Sequence, residues 1–302
     1  MEMTDQRQQQ VEQVRTFSRT MTERIGVLND HYLGRNHPLG EARLLWEIGE
    51  QGEQGTTVRV LRRGLGLDSA YVSRLLRSLE RQGLVVVETS RKDGRVRQVH
   101  LTDRGLRERA ELDRRAGAFA QSLLEPLSEE ERAKLVAAMS QVERLLIASS
   151  VIISIADPRS PDARWCFEQY FAELGQRFNA GFDPDVSISA QAHELTLPNG
   201  LLLIARLREE PVGCGALKLH EKAPAEIKRM WVARRARGLG LGRRLLQELE
   251  RHALELGVTV LHLETNGTLN EAINLYRNSG YQEVEPFNDE PFAHHWFEKH
   301  LS

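Results

Sequence analysis

Two cysteines in 302 residues, Cys166 and Cys214, are too few for a disulfide framework, and neither stands at metal-ligand spacing. His294 and His295 are adjacent, so on a strand they would point to opposite faces, and no metal is expected. The opening residues MEMTDQRQQQ lack the apolar core of a secretory signal, and the longest near-apolar run, Leu145–Ala156, is too short to cross a bilayer. No membrane partner is expected, and a cytoplasmic location is. Bulk charge also says little, because 41 basic and 43 acidic side chains leave a net charge of -2. Two phosphate-binding signatures are missing: there is no loop ending in G-K-S/T, and Arg243 stands where a G-x-G-x-x-G turn would need its third glycine.

What is present describes an ordinary folded chain, 40% hydrophobic and 28% charged, long enough for two cores. Two domains are expected, 1–149 and 150–302. The junction falls where the helical periodicity of QVERLLIASS yields to the β-branched run Val151, Ile152, Ile153. Almost no linker separates them, since Pro158 and Pro161 already belong to the second domain, and a short junction restricts relative orientation.

The first half is mainly helical. Val11, Val14, Phe17, Met21, Ile25 and Leu28 recur every three or four positions, which predicts one helix from Gln6 to about Gly34. Periodic segments at 40–50 and 57–65 lead to the turn Gly66-Leu67-Asp68 and a helix over 69–82. That helix turns Val72, Leu75, Leu76 and Leu79 inward and leaves Ser69, Ala70, Ser73, Arg74 and Arg77 outward, as a helix in a DNA major groove requires. Strand candidates at 84–88 and 98–101 flank TSRKDGRVR, a hairpin tip with Lys92, Asp93, Gly94 and Arg95. Between residues 56 and 100, ten Arg or Lys stand against four Asp or Glu, so the basic charge absent from the whole chain is concentrated here. Helices over 103–124 and 128–149 follow, the second opened by a Ser128/Glu131 capping box.

This order of elements, with D-x-R at Asp93 and Arg95, resembles the MarR family of winged helix-turn-helix regulators. The resemblance implies that Arg95 contacts DNA while Asp93 orients it, that the terminal helices interlock a homodimer, and that the partner is double-stranded DNA with a pseudo-palindromic site.

In the second half, Glu226–Leu246, EIKRMWVARRARGLGLGRRLL, writes a strand, a glycine turn and a helix start. Gly238, Gly240 and Gly242 leave main-chain N–H groups open at a helix N-terminus, an arrangement that binds phosphates. Leu241, Leu245, Leu246, Leu249, Ala253 and Leu256 form the buried stripe of that helix. VTVLHLE at 258–264 reads as a buried strand, and NEAINLYRNSGY at 270–281 as a short helix closed by Gly280.

Arg237, Gly240 and Gly242 fit the coenzyme-A signature Arg/Gln-x-x-Gly-x-Gly/Ala of the GNAT N-acetyltransferases. Ala272, Leu275, Tyr276, Gly280 and Tyr281 match the family's later helix. The resemblance runs from about residue 151 to the end and implies an α/β fold with a mixed, largely antiparallel central sheet. It further implies that acetyl-CoA is the cosubstrate, with main-chain donors from Arg237, Gly238, Leu239, Gly240, Leu241 and Gly242, beside Arg243, on its diphosphate, and Val232 on its pantetheine arm. A main-chain N–H near Met230 or Trp231 would stabilise the oxyanion. Leu269 replaces an asparagine common in relatives, leaving Asn266 or Asn270 for that contact. Glu226 is the expected general base and Tyr276 the acid that protonates the departing thiolate. Asn288, Asp289 and His294 are candidates for the acceptor pocket.

The expected function is therefore a bifunctional regulator and N-acetyltransferase acting on a small amine or amino-acid-like acceptor. Two alternatives stay open: an acetyl-CoA-sensing regulator without turnover, and a protein-lysine acetyltransferase that uses its first domain as a dimer scaffold.

Overall fold

The computed structural model describes residues 2–25, 31–52, 55–89, 94, 96–178, 181–184, 186–188, 190–221 and 224–302. The chain divides into two units, residues 1–136 and 137–302. The described residues place α1 at Glu2–Ile25, α2 at Leu39–Glu50, β1 at Thr56–Thr57, α3 at Val58–Leu65 and α4 at Ser69–Arg81. They continue with β2 at Val85–Thr89, β3 at Arg97–Leu101, α5 at Asp103–Leu124 and α6 at Glu129–Ser149.

In the first unit the turns at α3 and α4 are held by caps that the residues supply. Thr57 caps α3 by accepting from the Val60 N–H at 3.2 Å, Gly66 closes α3 in the left-handed conformation, and Asp68 caps α4 by accepting from Tyr71 N–H at 2.8 Å. Leu44, Leu45, Ile48, Val72, Leu76, Leu79 and Val99 are buried together, so α2 and α4 close on the antiparallel strands β2 and β3. Gly105 is needed at the start of α5, because a Cβ there would stand 2.0 Å from the Leu84 carbonyl oxygen. Three local expectations change. The first helix is described over Glu2–Ile25 and does not run unbroken to Gly34, because Tyr32–Gly34 is a separate short turn with Leu33 at a φ of 52°. Thr57 leaves the helix to cap it, and with Thr56 forms β1, a third strand pairing with β3.

The second unit is built on a seven-stranded sheet in the order β4-β5-β6-β7-β8-β10-β9. Its strands are β4 Val151–Ala156, β5 Gly200–Leu207, β6 Glu210–Lys218, β7 Ala225–Val232, β8 Val260–Thr265, β9 Gln282–Val284 and β10 His295–His300. Neighbours pair antiparallel except β7 with β8, which gives the expected mixed, largely antiparallel sheet. The helices are α7 Pro161–Arg177, capped by Ser160 with Pro161 at its first position, α8 Leu241–Glu255 and α9 Asn270–Asn278. Leu241, Leu245, Leu246, Leu249 and Ala253 of α8 are buried in the sheet's core, whereas Leu256 lies past the helix end and is exposed. The strand expected to begin at Val258 begins at Val260, and the helix expected to reach Tyr281 ends at Asn278. Arg244 fastens the end of α6 within this unit, donating to the carbonyls of Ala148 and of Val151, the latter at 3.0 Å.

Candidate functional site

On α4 of the first unit, Ser69, Ala70, Arg74 and Arg77 are exposed and Ser73 is half-buried, while Val72, Leu75, Leu76 and Leu79 face the core. Arg74 lies over the Tyr71 ring with its guanidinium carbon 5.5 Å from the centroid, and Arg77 donates from Nε to the Ser73 carbonyl at 3.1 Å. One helical face thus carries two arginines and small polar neighbours, as groove contact requires. The wing residues Lys92, Asp93 and Arg95 lie outside the described residues. Val11, Val14 and Phe17 of α1 are exposed, as are Leu106 of α5 and Val136 of α6, so these long helices keep bare apolar side chains in the single chain.

The second unit's site begins with a defect in β7. On β6 the single residue Gly215 stands between Cys214, which faces Trp231, and Ala216, which faces Lys228. Two residues of β7, Arg229 and Met230, therefore oppose one, and Arg229 adopts a φ of 56° to make the bulge. Gly215 leaves room opposite for the Met230 side chain, which would have to shift if a Cβ stood there, 2.6 Å from its Sδ. On its other side, β7 pairs with β8 only at Ala225/Leu261 and Glu226/His262. Beyond those pairs the ladder stops; one cavity opens between the C-terminal ends of β7 and β8, and a larger one adjoins it between the end of β7, α7, the glycine turn and α9.

The larger, of about 470 Å³, is lined by Met230, Trp231, Val232, Arg237, Gly238, Gly240, Leu241, Gly242, Arg243 and Tyr276, among others. Gly238 and Gly240 have φ values of 77° and 71°, and nothing lies within 4 Å of where their Cβ atoms would be. The turn therefore needs glycine for its backbone conformation, and its amides border open space at the start of α8. Arg237 holds the turn in place, donating to the Val232 carbonyl at 2.9 Å and to Glu173 of α7 at 2.5 and 2.7 Å. Glu173 also accepts from Trp231 Nε1 at 3.0 Å. Burial opposes its ionisation, but these donors outweigh burial and hold the carboxyl below its ordinary range. Leu239 packs on the core instead of lining this cavity, and Asn270 is exposed at the start of α9.

The second cavity shares Tyr170, Leu174, Met230, Leu269, Ala272 and Tyr276 with the first. Tyr276 is buried at the junction, and burial together with the Glu264 charge raises its hydroxyl pKa. Asn266 lines the second cavity, but its amide is occupied, donating to the Phe292 carbonyl at 2.6 Å and accepting from Thr268 N–H at 3.0 Å.

Glu226 lines neither cavity. It sits at the paired end of β7, where its carboxylate meets His220 Nε2 at 2.6 Å and Lys228 Nζ at 2.7 Å. Burial raises its pKa, yet Lys228 and His220 outweigh burial and leave it below the ordinary carboxylate range. The expected base thus reaches the cavity only through Lys228, which also binds Glu264 at 2.5 Å. Glu264, at the end of β8, does line the cavity. Its pKa is raised, chiefly by burial, with Glu226 and Glu290 adding to that and Lys228 opposing it. Lys228 serves both carboxylates, but Glu226 is less buried and also has His220, whereas Glu264 is more buried and faces Glu226 and Glu290, so burial prevails only at Glu264.

The proposed acceptor residues Asn288, Asp289 and His294 also lie off this cavity. Asn288 accepts from Trp296 Nε1 at 2.9 Å, Asp289 is exposed, and His294 Nδ1 accepts from Gly267 N–H at 3.1 Å. Their neighbours Glu290 and Phe292 line it instead. Sequence reasoning passed over Glu264, although it closes the strand motif VTVLHLE, and the aromatic run Phe167, Tyr170, Phe171, Phe178, Phe182, whose early members repeat at helical spacing.

Comparison with known proteins gives two separate family matches. Residues 165–281 match the Acetyltransferase (GNAT) family, and residues 35–96 match the MarR family. An IAA acetyltransferase of Azospirillum brasilense is 40% identical over 94 residues, which are 31% of this chain and 61% of that protein, less than two thirds of its length. An uncharacterized N-acetyltransferase of Schizosaccharomyces pombe is 28% identical over 146 residues, covering 46% of this chain and 88% of the other. Among solved structures, a GNAT-family acetyltransferase from Staphylococcus aureus aligns with a TM-score of 0.44 and 20% identity, covering 50% of this chain and all of its own. The chain accordingly carries one segment that matches the MarR family of winged helix-turn-helix regulators and a later one that matches the GNAT acetyltransferase family.

Proposed function

We propose that the protein is a bifunctional regulator and acetyl-CoA-dependent N-acetyltransferase that modifies a small amine. The observation that carries the catalytic half is the glycine turn opening onto a cleft beside the end of β7, with Tyr276 shared between that cleft and the adjoining cavity. Main-chain donors from Arg237 to Gly242, beside Arg243, would bind the coenzyme diphosphate, and Val232 would bind its pantetheine arm. A main-chain N–H at the bulged segment Met230–Trp231 would meet the oxyanion of the tetrahedral intermediate. Tyr276 would protonate the departing thiolate, its raised pKa keeping the hydroxyl protonated at neutral pH.

The boundary between the activities is drawn at 149/150, where α6 gives way to β4. In the first domain, Ser69, Ala70, Ser73, Arg74 and Arg77 on α4, with Lys92, Asp93 and Arg95 on the wing, would contact a pseudo-palindromic DNA site. A homodimer would cover the bare apolar side chains of the long helices. A cytoplasmic location follows from this reading, since both proposed partners, DNA and acetyl-CoA, are found there.

Release of coenzyme thiol from acetyl-CoA across an amine panel tests the catalytic half. Coenzyme binding with no thiol release from any amine would favour an acetyl-CoA sensor. Turnover confined to protein lysines would favour the lysine acetyltransferase. Within this reading, Tyr276→Phe is expected to lower kcat by about 10²-fold while coenzyme affinity changes less than about twofold. An unchanged kcat would remove Tyr276 from the chemistry.

A further inference from the structure

The second cavity is lined by two unlike sets of side chains. One is a wall of rings: Phe182 stacks on Phe171 at 5.7 Å between centroids and meets Phe178 at 5.6 Å and Phe292 at 5.0 Å. The other set is charged. Arg229 lies over the Phe167 and Phe171 rings at 4.1 and 5.2 Å and donates to the Ala190 carbonyl at 2.7 Å. Glu290 is taken up by the surrounding loops, accepting from Ser187 Oγ at 3.0 Å, Ile188 N–H at 2.7 Å and Phe292 N–H at 3.3 Å. Lys228 sits between Glu226 and Glu264.

That leaves Glu264. Its side chain is 10% exposed, Oε1 accepts from Lys228, and Oε2 is buried with no hydrogen-bond partner. Among the described residues lining this cavity, it is the carboxylate oxygen that remains open. A buried, unpaired acceptor is costly unless a donor arrives to meet it, and an ammonium group is such a donor. Aromatic walls would also favour a flat apolar body behind that cation.

Building on the acetyltransferase reading above, we propose that this cavity receives a primary amine carried on an aromatic body, with Glu264 as the base that takes the proton from its ammonium. The ammonium gives one proton to Glu264, and the neutral nitrogen attacks the thioester carbon. A C–N bond forms and the C–S bond breaks. The second nitrogen proton ends on the coenzyme sulfur by way of the Tyr276 hydroxyl, and Glu264 returns its proton to solvent. The products are an N-acetyl amine, free coenzyme thiol and one proton. Lys228, Arg229, Glu290, Tyr170, Tyr276 and, beyond Lys228, Glu226 are the ionisable groups around Glu264. The base acts only when ionised, so activity falls as pH drops through its raised pKa.

The test uses the full chain with 2-phenylethylamine and n-butylamine, alongside calorimetric titration of acetyl-CoA. The aromatic amine is expected to have kcat/KM at least about tenfold above butylamine, and Phe182→Ala to erase that preference with coenzyme affinity unchanged. Glu264→Gln is expected to lower kcat/KM by about 10²-fold or more and to remove the acid limb of the pH profile. Equal use of the two amines overturns the aromatic assignment, and an unchanged pH profile in Glu264→Gln overturns the base. Coenzyme binding with no turnover of either amine, while other amines react, overturns the acceptor class alone. Absence of coenzyme binding, or of turnover with every amine, removes the acetyltransferase reading and this inference with it.

Discussion

Gly240→Asp is expected to abolish measurable acetyl-CoA binding while leaving the fold intact. Gly240 precedes the first residue of α8 with a φ of 71°, and a Cβ there would meet no atom within 4 Å. Asp is among the few non-glycine residues that tolerate this backbone region, so the substitution costs little structurally. Its charge is another matter. A carboxylate at the helix N-terminus takes the position where donor amides face a diphosphate. At a separation of about 5 Å and an effective dielectric of about 20, each like-charge pair costs about 3 kcal/mol before salt screening, enough for more than about 100-fold in affinity. Gly240→Ala separates the effects, since it keeps the conformational cost without the charge. Calorimetry should show loss of heat for the Asp variant, a smaller loss for Ala, and unfolding temperatures within a few degrees of the parent. An Asp variant that binds within about threefold of the parent would remove the turn from the coenzyme site.

What the sequence made legible follows from how local each signal is. Asp103–Leu124 matches the expected helix because Thr102 caps it by accepting from the Gly105 N–H at 3.0 Å, all within four residues. The Ser128/Glu131 box forms as written, with Glu131 accepting from Ser128 N–H at 2.9 Å and from its hydroxyl at 2.8 Å. The glycine turn and the α9 motif are equally local, and they brought Gly240 and Tyr276 to one cavity. Which carboxylate faces that cavity is not local. Glu226 opens one visible strand motif and Glu264 closes another, but which is enclosed depends on where β7 and β8 separate, next to a bulge opposite Gly215. Cross-strand register of this kind is set by pairing between separate segments, Cys214 with Trp231 and Ala225 with Leu261, and not within either motif. For the same reason nothing in the tail PFNDEPFAHHW announced that Glu290 and Phe292 would line the cavity while Asn288, Asp289 and His294 would not.

Raising salt from 50 to 200 mM is expected to weaken operator binding by about 10³-fold, the steepest response anticipated for the first domain. Arg74 and Arg77 on each α4 and the wing arginine Arg95 make three candidate phosphate contacts per protomer, hence about six in a dimer, each releasing condensed counterions on binding. Both helix arginines are surface groups in the free chain: Arg74 rests on Tyr71 and Arg77 on the Ser73 carbonyl, so neither must break a buried ion pair to reach a phosphate. Arg77→Ala deletes one contact per protomer, so the slope of log K against log salt should become shallower by about 2 in the dimer. Ser73→Ala deletes no charge, so any loss there should be independent of salt and confined to particular base positions. Fluorescence anisotropy with a labelled fragment of the protein's own promoter, repeated across salt concentrations, reads all three slopes. A flat salt response, or an Arg77→Ala slope equal to the parent's, would leave α4 without a phosphate-binding role and favour the first domain as a dimer scaffold.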